Sequence, residues 1–234
     1  MNQFSRSSIL IGEKKLEKLK NSTIAIFGLG GVGSYVAESL ARIGVENLIL
    51  IDNDVIDVTN INRQIIALHS TVGKAKVNVQ KDRILDINPN AKVTTHKIFY
   101  SKESDQNIIN SCDYVVDAID SVSSKLTLVE ECQKREIPII SCMGTGNKLN
   151  PTLFELADIF ETSICPLCRV MRRELKKRNI TSLKVVYSKE EPIKPIDIYD
   201  KESYKRTVPG SMPYVPAAAG LIIASEVVKD IIAD

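Results

Sequence analysis

The chain has 234 residues, of which 44% are hydrophobic and 26% charged, and a formal net charge of +2. Such a chain can bury a substantial core and has an ordinary soluble composition, which excludes a disordered or collagen-like class. The small net charge does not by itself imply a polyanionic partner, so nucleic-acid binding would need local clustering of cations.

Strand-length apolar runs stand at Thr23–Phe27, Asn47–Asp52, Lys92–Ile98, Tyr114–Ile119 and Ile137–Ser141. Helical patterns alternate with them at Val32–Ile43, Lys74–Ile87, Ser104–Asn110 and Ser124–Arg135. In the first helix Val32, Val36, Leu40 and Ile43 recur at helical spacing, and Gly44 follows as a stop signal. This order predicts an α/β fold: a Rossmann-like, mostly parallel sheet with helices on both faces. Past Asn150 the pattern changes to a strand over Thr152–Ile159, a basic helix over Arg169–Arg178, a strand over Leu183–Ser188 and a last helix over Ala217–Ile232. The Pro-rich, charged stretch Lys189–Arg206 reads as a flexible loop. One domain is expected over 1–234, with a nucleotide-binding core at 1–150 and an elaboration of the same sheet at 151–234. No run reaches the roughly 18 apolar residues of a membrane span. The first 19 residues do not read as a secretory signal, and five cysteines form no even export set, so a cytoplasmic protein with reduced thiols is expected.

Between the first strand and helix lies Gly28-Leu29-Gly30-Gly31-Val32-Gly33. Glycines let this turn approach a phosphate closely, and the start of the following helix presents free N–H groups and a positive dipole end. Asp52 stands 19 residues past Gly33, the spacing at which a carboxylate reaches a ribose hydroxyl. A nicotinamide dinucleotide would be satisfied by that much. The chain adds Asn60, Arg63 and Gln64 in Thr59-Asn60-Ile61-Asn62-Arg63-Gln64, Lys76 in Val72-Gly73-Lys74-Ala75-Lys76, and Asp120 in Asp117-Ala118-Ile119-Asp120. Cations with a metal-binding carboxylate suit a triphosphate that is to be cleaved. Asp54 and Asp57 read as loop carboxylates or helix caps, Lys74 as solvated, Asp117 as a strand-end hydrogen-bonding group, and His69 and His96 as structural.

In that order these four motifs resemble the E1-like family, which includes ThiF, MoeB and the ubiquitin-activating enzymes. The resemblance implies ATP-dependent adenylation of a carboxylate. Gly28, Gly30, Gly31, Gly33, Asp52, Asn60 and Gln64 would then line the ATP site. Arg63 and Lys76 would hold the triphosphate, Asp120 would bind Mg²⁺, and Arg6 would reach ATP from the same or a partner subunit of a homodimer. Catalysis would rest on Arg63, Lys76, Asp120 and Arg6. No protein nucleophile is needed, since the incoming carboxylate attacks phosphorus itself.

Sulfur-carrier activators of this family carry two CxxC pairs on zinc; this chain has one, Cys165-Pro166-Leu167-Cys168. Two thiols at a helix start are expected instead, reactive if that end stabilises a thiolate. From Cys142 onward the chain resembles the family's tRNA threonylcarbamoyladenosine dehydratase branch, through Cys142–Thr152, Ala157–Ile159, Arg169–Leu175, Val185–Pro192 and Val208–Ser211. That branch implies tRNA carrying threonylcarbamoyladenosine as substrate and leaves a sulfur-transfer or redox partner open. Arg169, Arg172, Arg173 and Lys176 share a helix face and form a candidate tRNA contact. Two other readings stay open: adenylation of a ubiquitin-like sulfur carrier, and NAD binding by the same turn.

Overall fold

The computed structural model describes residues 2–194 and 209–233. Most of the stretch read as a flexible loop, from residue 195 on, lies outside the described residues. The chain opens with two helices that the periodicity does not announce, α1 (Ser5–Ile11) and α2 (Glu13–Asn21). Gly12, at φ +82°, breaks the helix between them. Only Leu16 and Leu19 of α2 are buried. So sparse an apolar face leaves little periodic signal among lysines.

The core continues β1 (Thr23–Phe27), α3 (Gly33–Ile43), β2 (Asn47–Ile51), α4 (Lys76–Ile87), β3 (Lys92–His96), β4 (Tyr114–Asp117), α5 (Val122–Lys134) and β5 (Ile139–Cys142). The last third supplies β6 (Phe154–Asp158), α6 (Pro166–Lys177), β7 (Lys184–Ser188) and α7 (Tyr214–Ile232). All seven strands form one sheet in the order β3-β2-β1-β4-β5-β7-β6, parallel except for the β6–β7 pair.

Side chains alternate across this sheet. Ile24, Ile26, Leu48 and Leu50 pack with residues of α3 and α7 on one face, while Ala25, Phe27 and Val115 pack with Leu128 and Cys132 of α5 on the other. A third cluster joins Val129 of α5 to Cys168, Met171 and Leu175 of α6. Burying a Leu or Ile side chain contributes about 1.5–3 kcal/mol, so these two-sided strands anchor the molecule.

Two differences from the expected elements bear on function. Strands β2, β3 and β4 end one or two residues early because Asp52, Ile98 and Ile119 turn off the ladder to line a cavity. The helix expected at Ser104–Asn110 is a single 3₁₀ turn, Gln106–Ile109, whose N–H at Asn107 is capped by Asp105 Oδ1 at 2.9 Å. Ser, Asn and Gln side chains compete there for the backbone groups a longer helix would use. In contrast, α7 starts before its expected limit at Ala217, because Pro216 falls in its first turn, where a missing N–H is harmless.

Candidate active site

A cavity of about 770 Å³ opens at the C-terminal ends of the parallel strands, where open α/β sheets bind ligands. Its floor is the glycine turn. Gly28 has φ +87° and donates its N–H to Ile51 O at 2.8 Å; a Cβ there would stand 2.6 Å from Ala118 O. A Cβ on Gly33 would stand 1.8 Å from Gly28 O, so no larger residue fits. Gly30 is different: only Gln64 Nε2, at 3.9 Å, comes near, which leaves its cavity side open for a phosphate. The start of α3 points its dipole at that space.

Asp52 stands beside the turn, accepting from Leu29 N–H at 2.6 Å and from Asp54 N–H at 2.8 Å. Burial lifts its carboxyl above the ordinary range, against the pull of the Lys76 charge and those two N–H groups. The next segment folds back as an isolated antiparallel bridge between Val55 and Ala75. That bridge sets Lys76 against Asp54: Lys76 N–H donates to Asp54 O at 3.1 Å, and Nζ contacts Asp54 Oδ2 at 2.7 Å. Lys76 is 5% exposed, so its ammonium needs this partner. Asp54, read from sequence as a loop carboxylate, is therefore a site residue; its spacing two after Asp52 was the available signal. Asp57 is a cap, accepting from Thr59 N–H at 2.8 Å. Lys74 is exposed and stands off the cavity wall, as expected.

Asn60, Arg63 and Gln64 line the same wall. The Arg63 guanidinium donates through Nη1 to Thr59 O and to Asn62 Oδ1, both at 2.9 Å. Gln64 is 5% exposed and its Oε1 has no hydrogen-bond partner among the described residues. An orphaned buried acceptor on the cavity wall fits a ligand that brings a donor, such as a hydroxyl or an amino group.

Opposite lie the two aspartates that end and follow β4. Asp117 is fully buried: Oδ2 accepts from Lys125 Nζ at 3.0 Å and Ser141 Oγ at 2.7 Å, and Oδ1 from Ile119 N–H at 3.1 Å. Lys125 also donates to Cys142 O at 2.8 Å, so this pair ties β4, β5 and α5 together and positions the turn that carries Asp120. Nothing in the sequence singles out Lys125, one more lysine on an amphipathic helix. Asp120 itself is exposed, lines the cavity and has no ion pair or hydrogen bond among the described residues. A free carboxylate beside a phosphate pocket fits Mg²⁺, which takes one or two carboxylates and completes its shell with phosphates and water.

The cavity extends past Asp120 along Met143, Gly144, Thr145 and Gly146 to Leu167 and the segment Pro209–Ser211. Cys165 and Cys168 lie under this wall, 2% and 0% exposed. The Cys168 thiol and the N–H groups of Cys168, Gly144 and Leu167 stabilise the Cys165 thiolate and hold its pKa well below the usual thiol range, while Cys168 is pushed up. Arg6 sits exposed on α1, outside the cavity wall; His69 and His96 also lie off that wall.

The basic residues of α6 do not share one open face. Arg172 turns inward and donates Nη1 to Thr162 O at 2.9 Å, and also to Thr162 Oγ1. Arg173 pairs with Glu174 at 3.2 Å, and Lys176 stands 5.8 Å over the Phe160 ring. Arg169 alone of the four is exposed with no side-chain partner among the described residues.

Residues 4–234 match the profile of the ThiF family. The tRNA threonylcarbamoyladenosine dehydratase of Bacillus subtilis (strain 168) is 44% identical over 244 aligned positions, covering 100% of this chain and 96% of that protein. The enzyme of that name from Escherichia coli (strain K12) is 39% identical over 175, covering 74% of this chain and 65% of that protein. The crystal structure of the E. coli tRNA N6-threonylcarbamoyladenosine dehydratase TcdA with ATP matches with a TM-score of 0.87 at 33% identity, over 98% of this chain and 93% of that one. With its glycine turn, Asp52, Arg63 and Lys76 gathered on one cavity, the chain belongs to the ThiF family.

Proposed function

We propose that the protein is an ATP-dependent tRNA threonylcarbamoyladenosine dehydratase: it adenylates the carboxylate of N6-threonylcarbamoyladenosine at position 37 of tRNA and closes it into a ring. The carrying observation is a cavity with a phosphate turn and cations at one end and a second lobe, Met143–Gly146, at the other, in a chain similar over its full length to a dehydratase. Asp52 takes the ribose, and Gly30 and the start of α3 take the α-phosphate. Arg63 and Lys76 neutralise the triphosphate as charge moves onto the departing pyrophosphate. The substrate carboxylate, delivered through the second lobe, attacks the α-phosphorus: a P–O bond forms to the carboxylate oxygen as the bond to pyrophosphate breaks. An internal nitrogen or oxygen of the modification then attacks the activated carbonyl and AMP departs with that oxygen, a net dehydration. Asp120 would hold Mg²⁺, whose charge would counter that of the phosphates.

Two finer assignments rest on the same reading. A homodimer would cover α1, where Ile9 and Leu10 are 79% and 86% exposed beside Arg6. The cytoplasm is the compartment that a tRNA substrate and five free cysteines favour. Incubation with ATP, Mg²⁺ and tRNA bearing the threonylcarbamoyl group should remove one water by mass. AMP formation only with a protein ending in Gly-Gly, and no mass change in the tRNA, would assign the cavity to a sulfur carrier instead.

A further inference from the structure

The segment Pro209–Ser211 lines the cavity, and among the described residues asparagine side chains from opposite lobes hold it. On the substrate side Gly210 N–H donates to Asn147 Oδ1 at 2.7 Å and Gly210 O accepts Asn147 N–H at 2.8 Å. Asn147 adopts φ +58°, a left-handed conformation that Asn tolerates better than most residues, and this aims both groups at Gly210. On the nucleotide side Asn62 Nδ2 donates to Ser211 O at 3.0 Å. The same amide accepts from Arg63 Nη1 at 2.9 Å. One amide thus joins the cation that meets the triphosphate to the backbone that roofs the substrate lobe. Its orientation is fixed, because only the oxygen can accept from a guanidinium and only the nitrogen can donate to a carbonyl.

We infer that Asn62 and Asn147 are positioning residues that make this segment a strap coupling the two lobes, so that nucleotide on Arg63 seats the strap over the carboxylate substrate. Among the described residues Nε and Nη2 of Arg63 have no hydrogen-bond partner, while Nη1 holds Thr59 O and Asn62 Oδ1. Phosphate binding therefore orders the guanidinium, the guanidinium orders the amide, and the amide holds Ser211. Linkage makes the effect reciprocal: substrate under the strap tightens nucleotide binding by the same factor. ATP would bind first and dress the substrate lobe.

This inference rests on the adenylation reading, and two measurements separate them. In the first, a non-hydrolysable ATP analogue is added without tRNA and amide exchange is followed in a peptide spanning residues 209–216. Wild type should exchange more slowly with the analogue, and Asn62→Ala should exchange equally fast with and without it. Analogue affinity should stay within about 3-fold, since Arg63 keeps Thr59 O. In the second, substrate tRNA should tighten analogue binding to wild type by about 5-fold or more, a usual size for coupling between sites, and to Asn62→Ala by close to 1-fold. Asn147→Gly keeps the left-handed backbone and deletes only the Oδ1 acceptor; it should speed strap exchange in both states and leave analogue affinity unchanged. Analogue-dependent slowing that survives Asn62→Ala, or is absent from wild type, overturns the strap. Failure of dehydration with the exchange pattern intact counts against the adenylation reading alone.

Discussion

The chain carries two concentrations of positive charge, and they are built in opposite ways. Around the nucleotide cavity Lys76 is held by one carboxylate and Arg63 by two carbonyl oxygens, so each keeps donors without a partner among the described residues on the cavity wall. On α6 a larger number of cations is largely consumed by neighbours. Glu174 alone pairs with Arg173, Lys177 and Arg178, which hold its carboxyl well below the usual range, at about 2, Lys177 contributing most. Arg172 clamps Thr162, and Arg178 also reaches Glu130 at 3.1 Å. Charge counted along a sequence therefore measures affinity for phosphate poorly; what matters is how many donors remain after the fold has used its share.

The sharpest way to test that contrast is to remove a cavity cation. Lys76→Ala or Arg63→Ala should lower the ATP-dependent dehydration rate by about 10²–10³, the usual loss when one preorganised charge-stabilising group is deleted. tRNA affinity measured without ATP should be unchanged. A parallel fall in tRNA affinity would mean that the two cation groups form one surface. Of comparable size is Lys125→Met, which leaves the buried Asp117 side chain without its Lys125 partner and should cost about 3–5 kcal/mol in a denaturant midpoint measurement. If stability hardly changes, the Lys125–Asp117 pair does not brace the turn under Asp120, which then needs another description.

The same contrast explains what could be read from the residues in advance. The glycine turn and Asp52 were legible because each answers a local demand: a backbone with no room for Cβ, or a carboxylate just past a strand end. Arg63 and Lys76 stood out through the order of their motifs, as the resemblance to the E1-like family implied. Asp54 and Lys125 did not. Their roles come from bonds to Lys76 and Asp117, and only the Val55–Ala75 bridge and the packing of α5 create those pairs. The sharing of α6 charges was hidden for a similar reason, since helical spacing alone groups Arg172 with Arg169 although Thr162 draws it inward. Helix α2 went unread because two buried leucines do not make a period.

On α6 the free and the engaged arginines should separate in one experiment. Arg169→Glu should weaken tRNA binding and lower the slope of log affinity against log salt by about 1, for the one phosphate no longer neutralised. Arg172→Ala should leave that slope alone and reduce stability by about 1.5 kcal/mol, the usual worth of a charged hydrogen bond. An Arg172→Ala protein with a lower salt slope and unchanged melting would return this residue to the tRNA surface.

The smallest effect expected concerns the thiolate under the substrate lobe. Cys165 ionises below the ordinary thiol value of 9.0 in the fold because the Cys168 thiol and three backbone N–H groups point at it. A group whose folded pKa is depressed adds stability that is complete above its unfolded value and disappears as pH falls through the folded one. Cys168, shifted upward, stays protonated through this window and adds no slope of its own. Cys165→Ser cannot ionise, so the stability gap between wild type and variant should widen with rising pH between roughly pH 6 and 8. Melting curves in reductant across that range test it. A gap independent of pH would show Cys165 as a neutral thiol, and Gly144 N–H, on the wall of the substrate lobe, would then face sulfur without a charge to hold it in place.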